Sequence, residues 1–181
     1  MMSLDINLFS ALNGMIGKSP VRDGVIIFFA KYYIFILIAT IVVLAIRAYK
    51  KDRMLSLQLA AALASAVIAR LGVAELIRFF YHRPRPFVAL GASHLFADSA
   101  FSFPSGHTIF LLALAAALYM FNKRLGIFIG ISGLLVGLAR VAAGVHYPTD
   151  ILGGIVLGIL VGVLSQHVLV RFASSRMRVN T

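Results

Sequence analysis

The sequence predicts an all-α protein, a polytopic bundle of five to six transmembrane helices. Composition is the first reason: 61% of the 181 residues are hydrophobic and 13% are charged, whereas soluble domains are about 45–50% apolar and about 25% charged. The mean hydropathy of +0.96 is the second. The third is that several apolar stretches approach or exceed the roughly 20 residues that a helix needs to cross a hydrocarbon core of about 30 Å.

Five stretches are predicted as membrane spans, since lipid offers no partner to free backbone groups and a helix bonds its own. The preceding segment DINLFSALNGMIG has apolar residues at helical spacing but is too short to cross, so we expect an interfacial helix or part of a sixth span. The chain then divides into a helical segment over 1–22, a transmembrane domain over 23–172 and a basic tail over 173–181. The predicted spans are 23–47, 54–80, 105–121, 125–143 and 149–172.

Basic residues predict the orientation of this bundle. Nine of the seventeen Lys and Arg residues fall in 47–53, 123–124 and 171–178, which all lie on one side of a five-span chain. Positive charge near span ends is retained in the cytoplasm, so the connections 81–104 and 144–148 are expected outside. The start MMSLD lacks a basic n-region, and we expect no removable signal peptide.

The formal net charge of +11 does not indicate a nucleic-acid partner. Much of it is this topology signal, and no basic face interleaved with aromatic residues is present of the kind that nucleic-acid binders carry. The sequence has no cysteine, so thiol and disulfide chemistry are excluded.

Three segments bring ionisable residues to the outer face in a way that topology does not require. They are IRFFYHRPRPF, FPSGH and ARVAAGVHYPTD. Ionisable groups at membrane depth are costly and usually line a cavity or meet a partner. We therefore expect one common site at the outer ends of the helices.

The spacing within these segments favours phosphoryl chemistry. Asp150 follows His146 by four residues, so its carboxylate can hold the imidazole in one tautomer and leave the other nitrogen free to attack. The guanidinium of Arg140 can donate two parallel hydrogen bonds to phosphate oxygens beside that ring. In FPSGH, Ser105 suits a helix start and Gly106 lets a ligand approach exposed N–H groups, which favour an anion next to His107.

These residues resemble the three-part signature of the type 2 phosphatidic acid phosphatase superfamily, which includes membrane lipid phosphatases and vanadium haloperoxidases. The motifs are R-x6-RP over 78–86, PSGH over 104–107 and R-x5-H-x3-D over 140–150. Two departures are visible: the family's first cation is usually lysine and here is Arg78, and a serine commonly stands where Ala139 does.

The resemblance implies a separate role for each site residue. His146 would be the nucleophile that forms a phosphohistidine, Asp150 would orient it, and His107 would protonate the leaving oxygen. The phosphate would be held by Arg78, Arg85, Arg140, Ser105 and the amide of Gly106. This scheme requires no metal and no cofactor.

Within the superfamily, the short chain, the outward site and the stretches RPRPFV and ADSAFSFPSGH resemble bacterial undecaprenyl diphosphatases. The resemblance implies removal of the terminal phosphate of a polyprenyl diphosphate at the outer face of the bacterial cytoplasmic membrane. A phosphatidylglycerophosphate or broad-specificity lipid phosphatase is the alternative, and a polyprenyl-phosphate transporter is the alternative from another class. The expected partners are a phosphorylated lipid and the surrounding membrane lipids, with a monomer slightly favoured.

The remaining polar residues are predicted to be structural. His82 and Arg83 are expected to be interfacial or solvated, and Asp98 an ordinary loop residue. Glu75 precedes Arg78 by three residues on one helical face, so the two are expected to pair. Gly154, Gly158 and Gly162 form a small-residue stripe that predicts close packing inside one bundle rather than a homodimer face.

Overall fold

The computed structural model describes the backbone over residues 2–179 and side chains over residues 3–168. All regular elements in this part of the chain are helices, as predicted from the sequence. They are α1 Met2–Asn13, α2 Pro20–Tyr49, α3 Arg53–Phe80, α4 Pro86–Ala89, α5 Gly106–Tyr119, α6 Lys123–Ala142 and α7 Pro148–Val179.

Four of the described helices, α2, α3, α6 and α7, are long and apolar enough to cross a membrane. Local chemistry sets several of their starts. Asp52 and Asn122 each accept the amide of the residue three positions on, Leu55 at 2.9 Å and Leu125 at 3.0 Å, as N-capping side chains do. Pro148 occupies the first turn of α7, where its missing N–H costs nothing.

Helix α5 lies at the centre of the bundle, in contact with α3, α6 and α7. Its side chains are buried around most of its circumference, which explains why the segment is apolar on all faces. At 1.5 Å per residue its 14 residues span only about 21 Å. The helix is therefore shorter than the predicted span 105–121 and is not among the four that are long enough to cross a membrane.

The contact between α5 and α7 depends on glycine. A Cβ atom on Gly158 would lie 2.7 Å from the Ile109 carbonyl oxygen, and one on Gly154 would lie 3.2 Å from the Ser105 carbonyl oxygen. Gly162 meets the backbone of Ala113 in the same way. The prediction that this stripe packs inside one bundle is confirmed, and it brings the starts of α5 and α7 together.

Helix α1 packs against α6 and α7. Its Phe9 is buried, with its ring centroid 5.8 Å from that of Tyr147. At its end, Asn13 donates to the carbonyl oxygens of Ser93 at 2.9 Å and Ala142 at 3.1 Å. The N-terminal segment is thereby fixed to the loop between α4 and α5 and to the end of α6.

Candidate active site

The three motif segments meet at one end of the bundle through hydrogen bonds to backbone carbonyl oxygens. The amide of Ser105 donates to the carbonyl oxygen of Asp150 at 3.1 Å. Arg78 donates to the carbonyl oxygen of Pro104 at 2.8 Å, and Arg85 to that of Val145 at 2.7 Å. Each contact joins a residue of one motif segment to a residue of another, so the three form a single structural unit.

His146 lies in the turn between α6 and α7 and is buried. Its Nδ1 is 3.4 Å from Asp150 Oδ2, and its Nε2 is 3.3 Å from a terminal nitrogen of Arg85. A guanidinium can only donate, so Nε2 must present its lone pair and Nδ1 must carry the proton toward the carboxylate. Burial lowers the pKa of His146 well below its ordinary value, and the charges of Arg140 and Arg85 add to this, so the ring is neutral.

Asp150 is held by more than the histidine. Its Oδ2 accepts hydrogen bonds from the Ser102 hydroxyl at 2.5 Å and from the Tyr147 amide at 2.8 Å. Its Oδ1 accepts one from Arg83 at 2.6 Å. The carboxylate is buried and fixed from several directions, as a residue that orients an imidazole must be.

Three guanidinium groups surround the histidine, and all are buried. Arg78, Arg85 and Arg140 are 4%, 3% and 2% exposed. Asp98 is a shared counter-charge, since its Oδ2 lies 3.0 Å from Arg85 and 2.9 Å from Arg140. Burial by itself would raise the pKa of Asp98, but Arg85 and Arg140 hold it below its usual value.

The site contains hydrogen-bond donors that the described protein groups do not use. The Nε atoms of Arg78 and Arg140 are buried without a hydrogen-bond partner among the described residues. Buried unsatisfied donors are costly and uncommon in folded proteins. Unused donors on cationic groups are suited to binding the oxygens of an anion.

The start of α5 supplies the second motif. Ser105 is buried and its hydroxyl accepts a hydrogen bond from Thr108 at 3.1 Å. A Cβ on Gly106 would collide with the side chain of Arg70, which pairs with Glu75. His107 occupies the second position of α5, is half-buried, and makes no side-chain hydrogen bond within residues 3–168.

Glu75 and Arg78 pair at 2.9 Å, which confirms the predicted contact. Two other expectations from the sequence are wrong. Asp98 is not an ordinary loop residue, because it bridges two of the buried arginines. Arg83 is not simply solvated, because it donates to Asp150 and to Asp5.

Ser102 was not singled out in the sequence, although it lies only three residues before Ser105. Nothing in its spacing indicates a contact to Asp150, which is 48 positions away. His82, in contrast, is exposed and lies with its ring 4.5 Å from that of Phe101, in agreement with an interfacial position.

Residues 55–173 match the model of the PAP2 superfamily. The chain belongs to this superfamily. The matched range contains all three motif segments. This PAP2 protein is a phosphatase and a multi-pass membrane protein.

This PAP2 phosphatase is similar to one curated protein and to two solved structures. It is 34% identical over 162 residues to undecaprenyl-diphosphatase BcrC of Bacillus subtilis (strain 168), covering 89% of this chain and 82% of that protein. The crystal structure of Aquifex aeolicus LpxE aligns with a TM-score of 0.70 at 25% identity, over 90% of this chain and 94% of that one. The phosphatidylglycerolphosphate phosphatase structure from Bacillus subtilis aligns with a TM-score of 0.69 at 26% identity, over 92% and 84%.

Proposed function

We propose that this PAP2 phosphatase removes the terminal phosphate of a polyprenyl diphosphate, converting undecaprenyl diphosphate to undecaprenyl phosphate through a phosphohistidine on His146. The observation that carries the mechanism is the pair of contacts to the His146 ring, 3.4 Å from Nδ1 to Asp150 and 3.3 Å from Nε2 to Arg85. The substrate assignment is supported by the 34% identity to an undecaprenyl-diphosphatase over most of both chains.

In the first step, the Nε2 lone pair of His146 attacks the terminal phosphorus. An N–P bond forms as the bond between that phosphorus and the bridging oxygen breaks, and the electron pair leaves with the lipid phosphate. Arg78, Arg85 and Arg140 bind the equatorial oxygens, where negative charge is spread during the transfer. The Ser105 hydroxyl and the Gly106 amide complete the binding site at the start of α5.

Asp150 stabilises the positive charge that the ring gains as Nε2 forms its bond to phosphorus. His107 gives a proton to the departing oxygen, which leaves its ring neutral for the second step. In the second step His107 takes a proton from water, whose oxygen attacks the phosphohistidine and releases inorganic phosphate. Proton transfer of this kind contributes about 10²–10⁴-fold to the rate.

The site is proposed to open at the outer face of a bacterial cytoplasmic membrane. The support is that nine of the seventeen Lys and Arg residues fall in 47–53, 123–124 and 171–178, at the opposite end of the bundle.

The second candidate is a phosphatidylglycerophosphate or broader lipid phosphatase. The structural similarity to the Bacillus subtilis phosphatidylglycerolphosphate phosphatase favours it. Both candidates use the same phosphate-binding residues and differ in the leaving group, which is a lipid phosphate in one and an alcohol in the other.

Phosphate release from purified protein in detergent tests the proposal. Undecaprenyl diphosphate, phosphatidylglycerophosphate and phosphatidic acid are offered at equal concentration, with His146→Ala as the inactive control. We expect the diphosphate to be preferred and activity to persist in excess chelator. Comparable turnover of all three lipids would favour the broader phosphatase, and activity lost with chelator and restored by a divalent ion would contradict the metal-free scheme.

A further inference from the structure

Arg83 lies between two carboxylates that come from opposite ends of the chain. One terminal nitrogen donates to Asp150 Oδ1 at 2.6 Å, and the other donates to Asp5 Oδ2 at 2.7 Å. Asp5 belongs to α1 and is only 6% exposed, which is rare for an aspartate unless it is paired. The N-terminal helix thus places a buried charge three contacts away from His146, through Arg83 and Asp150.

Asp5 also holds the start of α7 directly. Its Oδ1 accepts the Thr149 amide at 3.0 Å and its Oδ2 accepts the Thr149 hydroxyl at 2.6 Å. The amide of Thr149 is one of the free N–H groups at a helix start, and here a carboxylate from another helix satisfies it. Asp150 is the next residue, so Asp5 fixes the backbone on which the orienting carboxylate is carried.

Tyr147 and α1 restrict the position of Arg83 further. The guanidinium carbon of Arg83 lies 4.1 Å from the centroid of the Tyr147 ring. That ring packs in turn on Phe9 of α1. The nitrogen that donates to Asp150 also donates to the Thr149 hydroxyl at 2.7 Å. Stacking on one face and these acceptors at its edge restrict the orientation of the guanidinium.

We propose that Asp5 is a positioning residue for the phosphatase reaction. Asp5 holds one terminal nitrogen of Arg83, so that Arg83 contacts only the Oδ1 oxygen of Asp150. Oδ2 then stays available to His146, Ser102 and the Tyr147 amide. This inference rests on the proposed roles of His146 and Asp150.

The alternative arrangement explains why Asp5 is needed. A guanidinium next to a single carboxylate favours the bidentate geometry, with one donor on each oxygen. Without Asp5, Arg83 would turn to contact both oxygens of Asp150 and compete with His146 Nδ1 for Oδ2. The ring would lose its fixed tautomer and part of its charge stabilisation during attack.

The variant Asp5→Asn tests this idea with little change in shape, since its side-chain oxygen still accepts the Thr149 amide while its amide group faces Arg83. We expect kcat to fall about tenfold or more, in the range that loss of outer-shell partners costs elsewhere. KM should stay within twofold, because Asp5 does not contact the phosphate. Asp23→Asn is the matched control. Among residues 3–168 the Asp23 carboxylate accepts only from the Gly17 amide, at 3.0 and 3.1 Å, so this variant should leave kcat unchanged.

A double-mutant cycle separates positioning from a merely structural role. In an Arg83→Gln background, Asp5→Asn should cause little further loss of kcat, because the guanidinium that Asp5 restrains is absent. Arg83→Lys keeps the positive charge but cannot contact both carboxylates at once, so it should reproduce the kcat loss of Asp5→Asn. It also provides a second variant in case Asp5→Asn does not fold.

A kcat of Asp5→Asn within twofold of wild type would overturn the inference. So would a double variant whose fold-loss of kcat equals the product of the two single fold-losses. A loss of kcat that only matches the loss of folded protein would also overturn it. Each leaves the proposed function intact, because that function is tested by His146→Ala and by the lipid comparison in the wild-type protein.

Discussion

Nε2 of His146 lies 3.3 Å from a terminal nitrogen of Arg85, whose other terminal nitrogen lies 3.0 Å from Asp98. The attacking atom of the proposed mechanism therefore already contacts one of the groups proposed to hold the phosphate. A phosphoryl group bound by Arg85 would lie within reach of the Nε2 lone pair. Positioning of this kind supplies much of the rate in phosphoryl transfer.

The pH dependence follows from the burial of His146. Its pKa is lowered by burial and by Arg140 and Arg85, so the acid limb of kcat/KM should lie below the ordinary value of about 6.5. Asp98 opposes this lowering, and Asp98→Asn should move the limb to still lower pH. The measurement is a pH profile of both proteins on one substrate, and a limb that moves upward in Asp98→Asn would contradict the assignment.

The same shift affects stability, with a definite sign. The folded state has the lower pKa, so between that pKa and about 6.5 the unfolded chain binds more protons at His146. This group therefore makes the free energy of unfolding fall as the pH is lowered from about 6.5. Thermal unfolding in detergent at pH 7.5 and pH 5.5 should show a smaller acid-induced loss in His146→Ala than in wild type.

His107 and His146 should respond differently to the leaving group. With an activated phenyl phosphate, whose anion leaves without a proton, the roughly 10²–10⁴-fold contribution of a general acid is less necessary. His107→Ala should then recover part of its loss, whereas His146→Ala should recover none. Equal responses of the two variants, measured as the ratio of turnover on activated and natural substrates, would exclude this division of roles.

Gly144 is expected to be essential for folding at the end of α6. Its φ is +84°, and an added Cβ would collide with the Ser93 carbonyl oxygen. Gly144→Ala should destabilise the protein by more than the roughly 1–3 kcal/mol of backbone strain alone. Gly17→Ala is the control, with φ +76° and no atom within 4 Å of the new Cβ, and its smaller shift in unfolding temperature isolates the collision.

Much of the fold and part of the site could be predicted because they depend on local spacing. A helix places residues three or four apart on one face, so the pair Glu75 and Arg78 followed from the sequence. The pair His146 and Asp150 followed from the short turn that leads into α7. The small-residue stripe of α7 predicted a close helix contact for the same reason. These features need no knowledge of how distant segments meet.

The contacts that were missed join residues with no sequence relation. Asp5 and Arg83 are 78 positions apart, and Asp98 and Arg140 are 42 apart. Asp98 and Ser102 lie in an irregular loop without periodicity, where no rule fixes the direction of a side chain. Arg83 looked solvated because its two carboxylate partners come from α1 and α7, which only tertiary packing brings together.

Sidedness can be tested with single cysteines, since the chain has none of its own. Ser99 lies in the loop before α5 and Lys123 is the first residue of α6; both are exposed, and they lie at opposite ends of the bundle. In intact cells, Ser99→Cys should react with a membrane-impermeant thiol reagent and Lys123→Cys should not. After lysis both should react, and the reverse pattern in intact cells would place the site in the cytoplasm.

The central claim is that the terminal phosphate passes through His146, and a rapid-quench experiment tests it most directly. Undecaprenyl diphosphate labelled in its terminal phosphate is mixed with protein in detergent, quenched in alkali within milliseconds, and digested for mass spectrometry. We expect an alkali-stable, acid-labile phosphoryl group on the peptide that contains His146, formed before inorganic phosphate appears. In His146→Ala we expect neither label nor phosphate release. Steady phosphate release with no label on that peptide, or release by His146→Ala at a rate near wild type, would contradict it.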